Sequence, residues 1–115
     1  MSAKLIETSF EKKRDIARVT TRQDAISLKN VESGTQIEYL GYVIQEITNE
    51  RTGEIFTSIM IASTDGNVYA TRSETFIQGL KEILEICADD PDPIIIQINR
   101  SESRNGREFV SCSLV

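Results

Sequence analysis

The sequence predicts an all-β domain of five strands with one helix inserted after the third strand. Three strand-like runs lie between residues 36 and 71, a short amphipathic helix follows over residues 73–88, and two further runs flank a loop at residues 101–107. Strands are recognised by apolar alternation, and the helix by apolar residues at three- and four-residue spacing. The order β-β-β-α-β-β is that of the five-stranded Greek-key barrel, the OB-fold, whose sheet face and loops commonly bind oligonucleotides or oligosaccharides.

The first two strands are predicted as a long hairpin. The first, Gln36–Thr48, is apolar on both alternating phases, which is typical of a strand that curls from one sheet into another. Gly41 is the predicted site of the bulge or bend that permits the curl. Residues 49–53 carry turn-forming side chains, and the second strand covers residues 54–63.

The remaining elements follow from equally local signals. A tight turn over residues 64–67 leads into the third strand, Val68–Thr71. Ser73 is the predicted N-cap of the helix, and the two prolines within residues 88–93 end it. The fourth strand begins at Pro93, a hairpin turn lies at Asn105-Gly106, and the fifth strand covers residues 108–115.

Residues 1–25 are predicted as a flexible basic arm, and residues 26–115 as the OB-fold domain. The arm has only a thin apolar stripe of Phe10, Ile16 and Val19, so little burial would offset the entropy of ordering it. Two interpretations of this arm remain: a mobile segment, or a basic segment that contacts phosphates.

Composition excludes several classes of function. The chain has no histidine and no CxxC pair, which removes the usual zinc sites and histidine-based acid–base chemistry. Cys87 and Cys112 are expected to be small buried apolar residues rather than a disulfide. No segment has the length of a membrane span or the pattern of a signal peptide, so a cytoplasmic protein is expected. We expect no cofactor, no metal and no catalysis.

The charge is unevenly distributed. The formal net charge is −5, yet residues 1–30 hold seven Lys or Arg against four Asp or Glu. Arg100, Arg104 and Arg107 also lie close together in the sequence, around the last hairpin. An acidic protein can bind a polyanion through a locally basic groove, with its acidic face turned away.

The candidate site is a set of aromatic and basic side chains, since single strands are held by base stacking and phosphate contacts. If Val68 and Ala70 point inward, Tyr69 points outward beside Phe56 on the neighbouring strand. Aromatic residues on strands are also common in cores, so packing remains the alternative for each. The predicted stacking residues are Tyr42, Phe56, Tyr69 and Phe109, and the predicted phosphate contacts are Arg51, Arg72, Arg100, Arg104 and Arg107.

Residues 53–56, 65–76 and 101–109 resemble small single-stranded-DNA-binding proteins of bacteriophages and of mobile elements of Gram-positive bacteria. The resemblance covers roughly residues 26–115. It implies an OB-fold that coats single strands exposed during replication or recombination in the bacterial host cell, without catalysis or metal. The chain differs from familiar bacterial single-strand binders in having no tryptophan. Unlike those proteins, it is also expected to lack an acidic tail for recruiting partner enzymes.

The leading interpretation is a sequence-independent binder of single-stranded DNA, with RNA as an alternative ligand. A homodimer or higher homo-oligomer is expected, and replication proteins are candidate partners. The alternative is an OB-fold module that docks on a host or phage replication protein, which the acidity of residues 31–115 favours. A carboxylate-dependent nuclease is the weakest hypothesis, because no acidic cluster has convergent spacing.

Overall fold

The computed structural model describes residues 2–102 and 104–115. Within them the chain forms seven strands, two α-helices and one 3-10 turn. In chain order these are β1 (Ser2–Thr8), α1 (Lys13–Thr20), β2 (Ile26–Ser27), the 3-10 turn (Leu28–Asn30), β3 (Gln36–Thr48), β4 (Ile55–Ser63), β5 (Val68–Thr71), α2 (Glu74–Ile86), β6 (Ile95–Glu102) and β7 (Glu108–Leu114).

The strands form one curled sheet in the order β2-β5-β4-β3-β6-β7, with β1 paired to β3. The long strand β3 joins the two halves of the sheet, since residues 36–38 pair with β6 and residues 39–48 pair with β4. The register shifts between Tyr39 and Gly41, so the predicted bulge is confirmed. The result is an OB-like half-barrel.

The five strands and the helix predicted from the sequence correspond to β3–β7 and α2. Ser73 caps α2 as predicted, because its hydroxyl accepts a hydrogen bond of 3.2 Å from the Phe76 amide. The predicted number of strands and helices was wrong: β1, β2 and α1 are additional. They all come from residues 2–27, where the apolar pattern is thin.

The predicted closed barrel also needs correction. The strand order ends at β2 and β7, which are not hydrogen-bonded to each other within the described part of the chain. Side chains bridge this seam. The Ser73 hydroxyl donates to the Val110 carbonyl at 2.8 Å, and the Arg100 guanidinium donates to the carbonyls of Leu28 and Lys29.

Two apolar cores lie on opposite faces of the sheet. The larger is enclosed by the curled sheet and α2, and includes Ile59, Phe76 and Ile96, all fully buried. The smaller lies between α1 and the outer face of β3, β4 and β5, where Val19 packs with Val43, Ala62 and Val68. Helix α1 is thereby attached to the outside of the half-barrel.

The segment predicted as a flexible arm forms β1 and α1 in the structure. The Phe10 side chain lies directly on Gly41: a Cβ atom at that position would come within 2.4 Å of the Phe10 ring. Gly41 is therefore needed for this close approach of the ring to the backbone. The flexibility of residues 1–25 and a domain boundary at residue 25 stay predictions.

The two cysteines are free and half-buried. Burial raises the pKa of the Cys112 thiol to about 11, so this thiol is uncharged at neutral pH.

Candidate nucleic-acid interface

An open groove of about 700 Å³ lies at the seam, where β2 and its neighbour β5 face β7. It combines hydroxyl, basic and aromatic side chains, which is the combination that single strands require. The side chains that matter here are Ser27, Lys29, Ser58, Thr71, Arg72, Ser73, Arg100, Glu108 and Phe109.

Arg72, at the end of β5, stacks on Phe56. Its guanidinium carbon lies 4.0 Å from the centroid of the ring. Ile59 faces the larger core and pairs with Thr71. Because side chains alternate along a strand, Phe56, three residues before Ile59, and Arg72, which follows Thr71, both lie on the outer face of the sheet. The guanidinium covers one face of the ring, and Arg72 lines the groove whereas Phe56 does not. Since guanidinium planes also stack on bases, Arg72 rather than Phe56 is placed to contact the ligand.

Phe109 borders the groove, and the predicted arginines of the two hairpin loops are exposed. Phe109 is half-buried and lines the β7 side of the groove. Arg104 and Arg107 are exposed in the turn that leads into β7, and Arg51 is exposed in the turn between β3 and β4. The structure thus places these three arginines in exposed turns, as the sequence predicted. Their contacts with a ligand stay predictions.

Arg100 has a structural role that the sequence did not reveal. Its guanidinium donates to the carbonyls of Leu28 and Lys29 and lies 3.7 Å from the Glu108 carboxylate. Its backbone amide donates to the Ser33 hydroxyl at 3.2 Å. The two guanidinium bonds hold the 3-10 turn against β6. Arg100 also lines the seam groove, and its contact with a phosphate stays a prediction.

The predicted outward orientation of Tyr69 was wrong. Tyr69 is 9% exposed and packs in the larger core, while its neighbour Val68 packs beneath α1 in the smaller one. The prediction assumed that the apolar Val68 must face the interior of the barrel. Helix α1 gives Val68 an apolar environment on the outer face, so Tyr69 faces inward and is unavailable for stacking.

Tyr42 lies on a different surface from the seam groove. Its hydroxyl donates to the Glu7 carboxylate at 2.5 Å, and Lys81 approaches the other Glu7 oxygen at 3.3 Å. These residues line a second groove between β1 and α2, which also contains Glu85 and Asp90. Burial and the Glu7 charge raise the pKa of Tyr42. The acidic surroundings make this groove unfavourable for phosphates.

The contact between Tyr42 and Glu7 predicts a specific dependence of stability on pH. The Tyr42 hydrogen bond, followed by Lys81, lowers the pKa of Glu7 below its ordinary value. A lowered folded-state pKa contributes stability above the unfolded value, about 4.3, and that contribution is lost as the pH falls through the folded pKa. Urea midpoints measured between about pH 6 and about pH 3 should fall less steeply in Tyr42→Phe than in the wild type.

Tyr39→Phe is the matched control for this experiment. Tyr39 packs against the same core, whereas the Glu7 carboxylate is bonded by Tyr42 and Lys81. Its pH profile should follow the wild type. Equal slopes for the wild type and Tyr42→Phe would contradict the assignment.

Sequence reasoning missed the groove residues Ser58, Thr71, Ser73 and Glu108. It also missed Ser27 and Lys29, which lie outside the predicted strands. These two residues reach the groove because the short strand β2 pairs in parallel with β5, through Ile26 to Tyr69 and Ser27 to Ala70. A two-residue strand leaves almost no periodic signal in the sequence. The only local clue is that Ser27 caps the following 3-10 turn by accepting from the Lys29 amide.

Among residues 2–102 and 104–115, no helix combines the length and apolar character needed to cross a membrane. Nor does that part of the chain gather three or more Cys, Asp or Glu side chains where they could hold a metal ion.

An OB-like half-barrel with basic and aromatic side chains at its open seam is the architecture of a nucleic-acid-binding protein. Residues 11–115 match the family described as phage single-stranded DNA-binding protein, of the Phi29 type, and the chain belongs to this family. The resemblance inferred from residues 53–109 is therefore confirmed. The matched range includes α1 as well as the half-barrel. No curated protein and no solved structure matches the chain significantly.

Proposed function

We propose that this protein coats single-stranded DNA exposed during phage or mobile-element replication and recombination, largely without regard to sequence. The observation that carries the proposal is the seam groove, where the Arg72 guanidinium, stacked on Phe56, and Phe109 line one open cleft. Membership of the phage single-strand-binding family supports the same function. The place of action would be the cytoplasm of the bacterial host cell.

In this mechanism bases stack on Phe109 and on the free face of the Arg72 guanidinium. Phosphates are held by Lys29 and by the exposed arginines of the two hairpin turns, Arg51, Arg104 and Arg107. Stacking tolerates any base because each has a π-face, and phosphate contacts carry no sequence information. No step of this function requires catalysis.

The test is a fluorescence-anisotropy titration of end-labelled oligo-dT at two salt concentrations, with duplex DNA of equal length as the control. The label belongs on the DNA, because Tyr39, Tyr42 and Tyr69 all lie outside the seam groove. We expect binding to the single strand alone. The logarithm of the affinity should fall with the logarithm of the salt concentration by about 0.7 per phosphate neutralised.

Absence of binding at low salt would refute the coating function. Equal affinity for duplex and single strand would refute the stacking mechanism. Competition by oligo-U tests whether RNA is an equivalent ligand, since its 2′-hydroxyl distinguishes it from DNA. Light scattering with and without DNA tests the proposed homodimer or higher homo-oligomer.

The second candidate function is docking on a host or phage replication protein. The groove between β1 and α2 favours it, because Glu7, Glu85 and Asp90 surround an apolar floor that includes Leu84 and Ile94. This surface would suit a basic, partly apolar segment of a partner. Charge reversal at Arg104 and Arg107 should abolish DNA binding while leaving such docking intact.

A further inference from the structure

We propose that helix α1 is a second DNA-contacting element, which extends the path of a bound strand from the seam groove across the outer face of the sheet. The proposal rests on the proposed function, because it assigns a further surface to the same ligand. It gives the basic N-terminal segment a fixed position in the binding site.

The first argument is the position of α1. Val19 packs on Ala62 and Val68, on the same outer face of β4 and β5 that carries Phe56 and Arg72. Met60 joins this cluster and pairs across the sheet with Ala70, which itself lines the seam groove. One row of side chains therefore separates α1 from the groove.

The second argument is charge. Lys12, Lys13, Arg14 and Arg18 are all exposed, whereas Val19 of the same segment is buried. Arg18 pairs with Asp15 at 3.2 Å, whereas Lys12, Lys13 and Arg14 make no ion pair within the described residues. Residues 31–115 hold fourteen acidic against six basic residues. A strand leaving the groove is therefore attracted to α1.

The third argument is rigidity. The Phe10 ring lies on Gly41, and the Ser9 hydroxyl accepts from the Tyr42 amide at 2.9 Å. Beyond the helix, Arg22 donates to the Gly66 carbonyl at 2.9 Å. Both ends of the segment are thus tied to the barrel, and the basic residues keep a defined distance from the groove.

These arguments predict a dependence on DNA length. A helix of eight residues is about 12 Å long, so a strand confined to the groove cannot reach its far end. Short oligo-dT should contact the groove alone, and longer oligo-dT should contact both surfaces. Single barrels of this type cover about 4 to about 16 nucleotides, and oligonucleotides near these two lengths serve as the probes.

The experiment compares the wild type with Lys12→Gln/Lys13→Gln/Arg14→Gln by anisotropy, with oligo-dT of both lengths and several salt concentrations. We expect less than a twofold change with the short oligonucleotide. With the long one we expect a loss of about tenfold or more, and a salt slope smaller by about 2, since three contacts at about 0.7 each are removed. Lys4→Gln is the control and should change neither, because Lys4 lies opposite Glu46, on the other face of the sheet from Phe56.

Phe10→Ala provides a second, independent test because it keeps every charge but removes the contact with Gly41. If α1 acts from a fixed position, this variant also loses affinity for the long oligonucleotide alone, by a smaller factor. A thermal melt monitored by circular dichroism shows whether its barrel remains folded. If it does not, Ser9→Ala, which removes one hydrogen bond, replaces it.

The two proposals fail in different ways. A wild-type protein that binds neither oligonucleotide refutes the proposed function, and the role of α1 falls with it. If the triple variant loses the same affinity for the short and the long oligonucleotide, or loses none for either, the role of α1 is overturned. The groove then remains the binding site. An unchanged affinity in a folded Phe10→Ala protein shows that the charges act without a fixed position, which also overturns it.

Discussion

Replacing Arg72 by glutamate is expected to weaken the binding of oligo-dT about a hundredfold, or about 2.7 kcal/mol. The substitution removes the guanidinium plane that stacks on Phe56 at 4.0 Å and places a negative charge where the strand enters the groove. Base stacking on aromatic rings contributes about 1–3 kcal/mol per base, and we expect a comparable contribution from the guanidinium plane, to which the lost phosphate attraction adds. Anisotropy titration at low salt, where electrostatic contributions are largest, measures the change.

Two further variants separate the causes of this loss. Lys4→Glu makes the same change in net charge on the other face of the sheet, since Lys4 pairs opposite Glu46 and Glu46 opposite Thr57. It should cost less than twofold. Arg72→Lys keeps the charge but not the plane, so an intermediate loss of about tenfold is expected. Equal losses for Arg72→Glu and Lys4→Glu would show that only net charge matters, and would contradict the assigned groove.

The parts of the fold that were predictable are those with dense local signals. Strands β3–β7 and helix α2 each carry apolar periodicity, a cap or a turn, such as Ser73 before α2 and Asn105-Gly106 before β7. These signals act within a few residues of the chain, so they can be interpreted without knowledge of its partners in space. The hairpin arginines, Arg51, Arg104 and Arg107, were located correctly for the same reason.

The errors arise where a distant segment changes the environment of a residue. Alternation alone cannot tell which face of β5 is interior, because α1 makes the outer face apolar as well. Because of this helix, Val68 faces outward and Tyr69 faces inward, which is the reverse of the predicted orientations. The stacking of Arg72 on Phe56 likewise depends on the register between β4 and β5, which no local pattern specifies.

Arg100 has a role that local patterns did not indicate, besides the phosphate contact that the sequence predicts for it. Its side chain is only 26% exposed and donates to carbonyls more than 70 residues earlier. A long-range contact of this kind between a strand and an irregular segment leaves no trace in the pattern of nearby residues. Its role can be tested through stability instead of binding.

Replacing Arg100 by methionine is expected to lower the free energy of unfolding by about 3 kcal/mol. Methionine preserves much of the apolar stem but leaves the part-buried Leu28 carbonyl without its donor, which costs about 1–3 kcal/mol. The exposed bond to the Lys29 carbonyl contributes about 0.5–1.5 kcal/mol more. The 3-10 turn that places the fully buried Leu28 in the core is then released from β6. The measurement is urea unfolding monitored by circular dichroism.

Arg104→Met is the matched control, because Arg104 is exposed in the hairpin turn, and such surface changes usually stay within about 0.5 kcal/mol. Arg100→Lys separates stability from binding: it keeps the positive charge but cannot span two carbonyls, so it should be destabilised nearly as much as Arg100→Met. If Arg100 acts by closing the seam, folded Arg100→Lys protein retains at least a third of the wild-type affinity for oligo-dT. A stable Arg100→Met protein with weakened DNA binding would contradict this prediction. It would show that Arg100 contacts phosphate and that the bond between Ser73 and Val110 is sufficient to hold the seam.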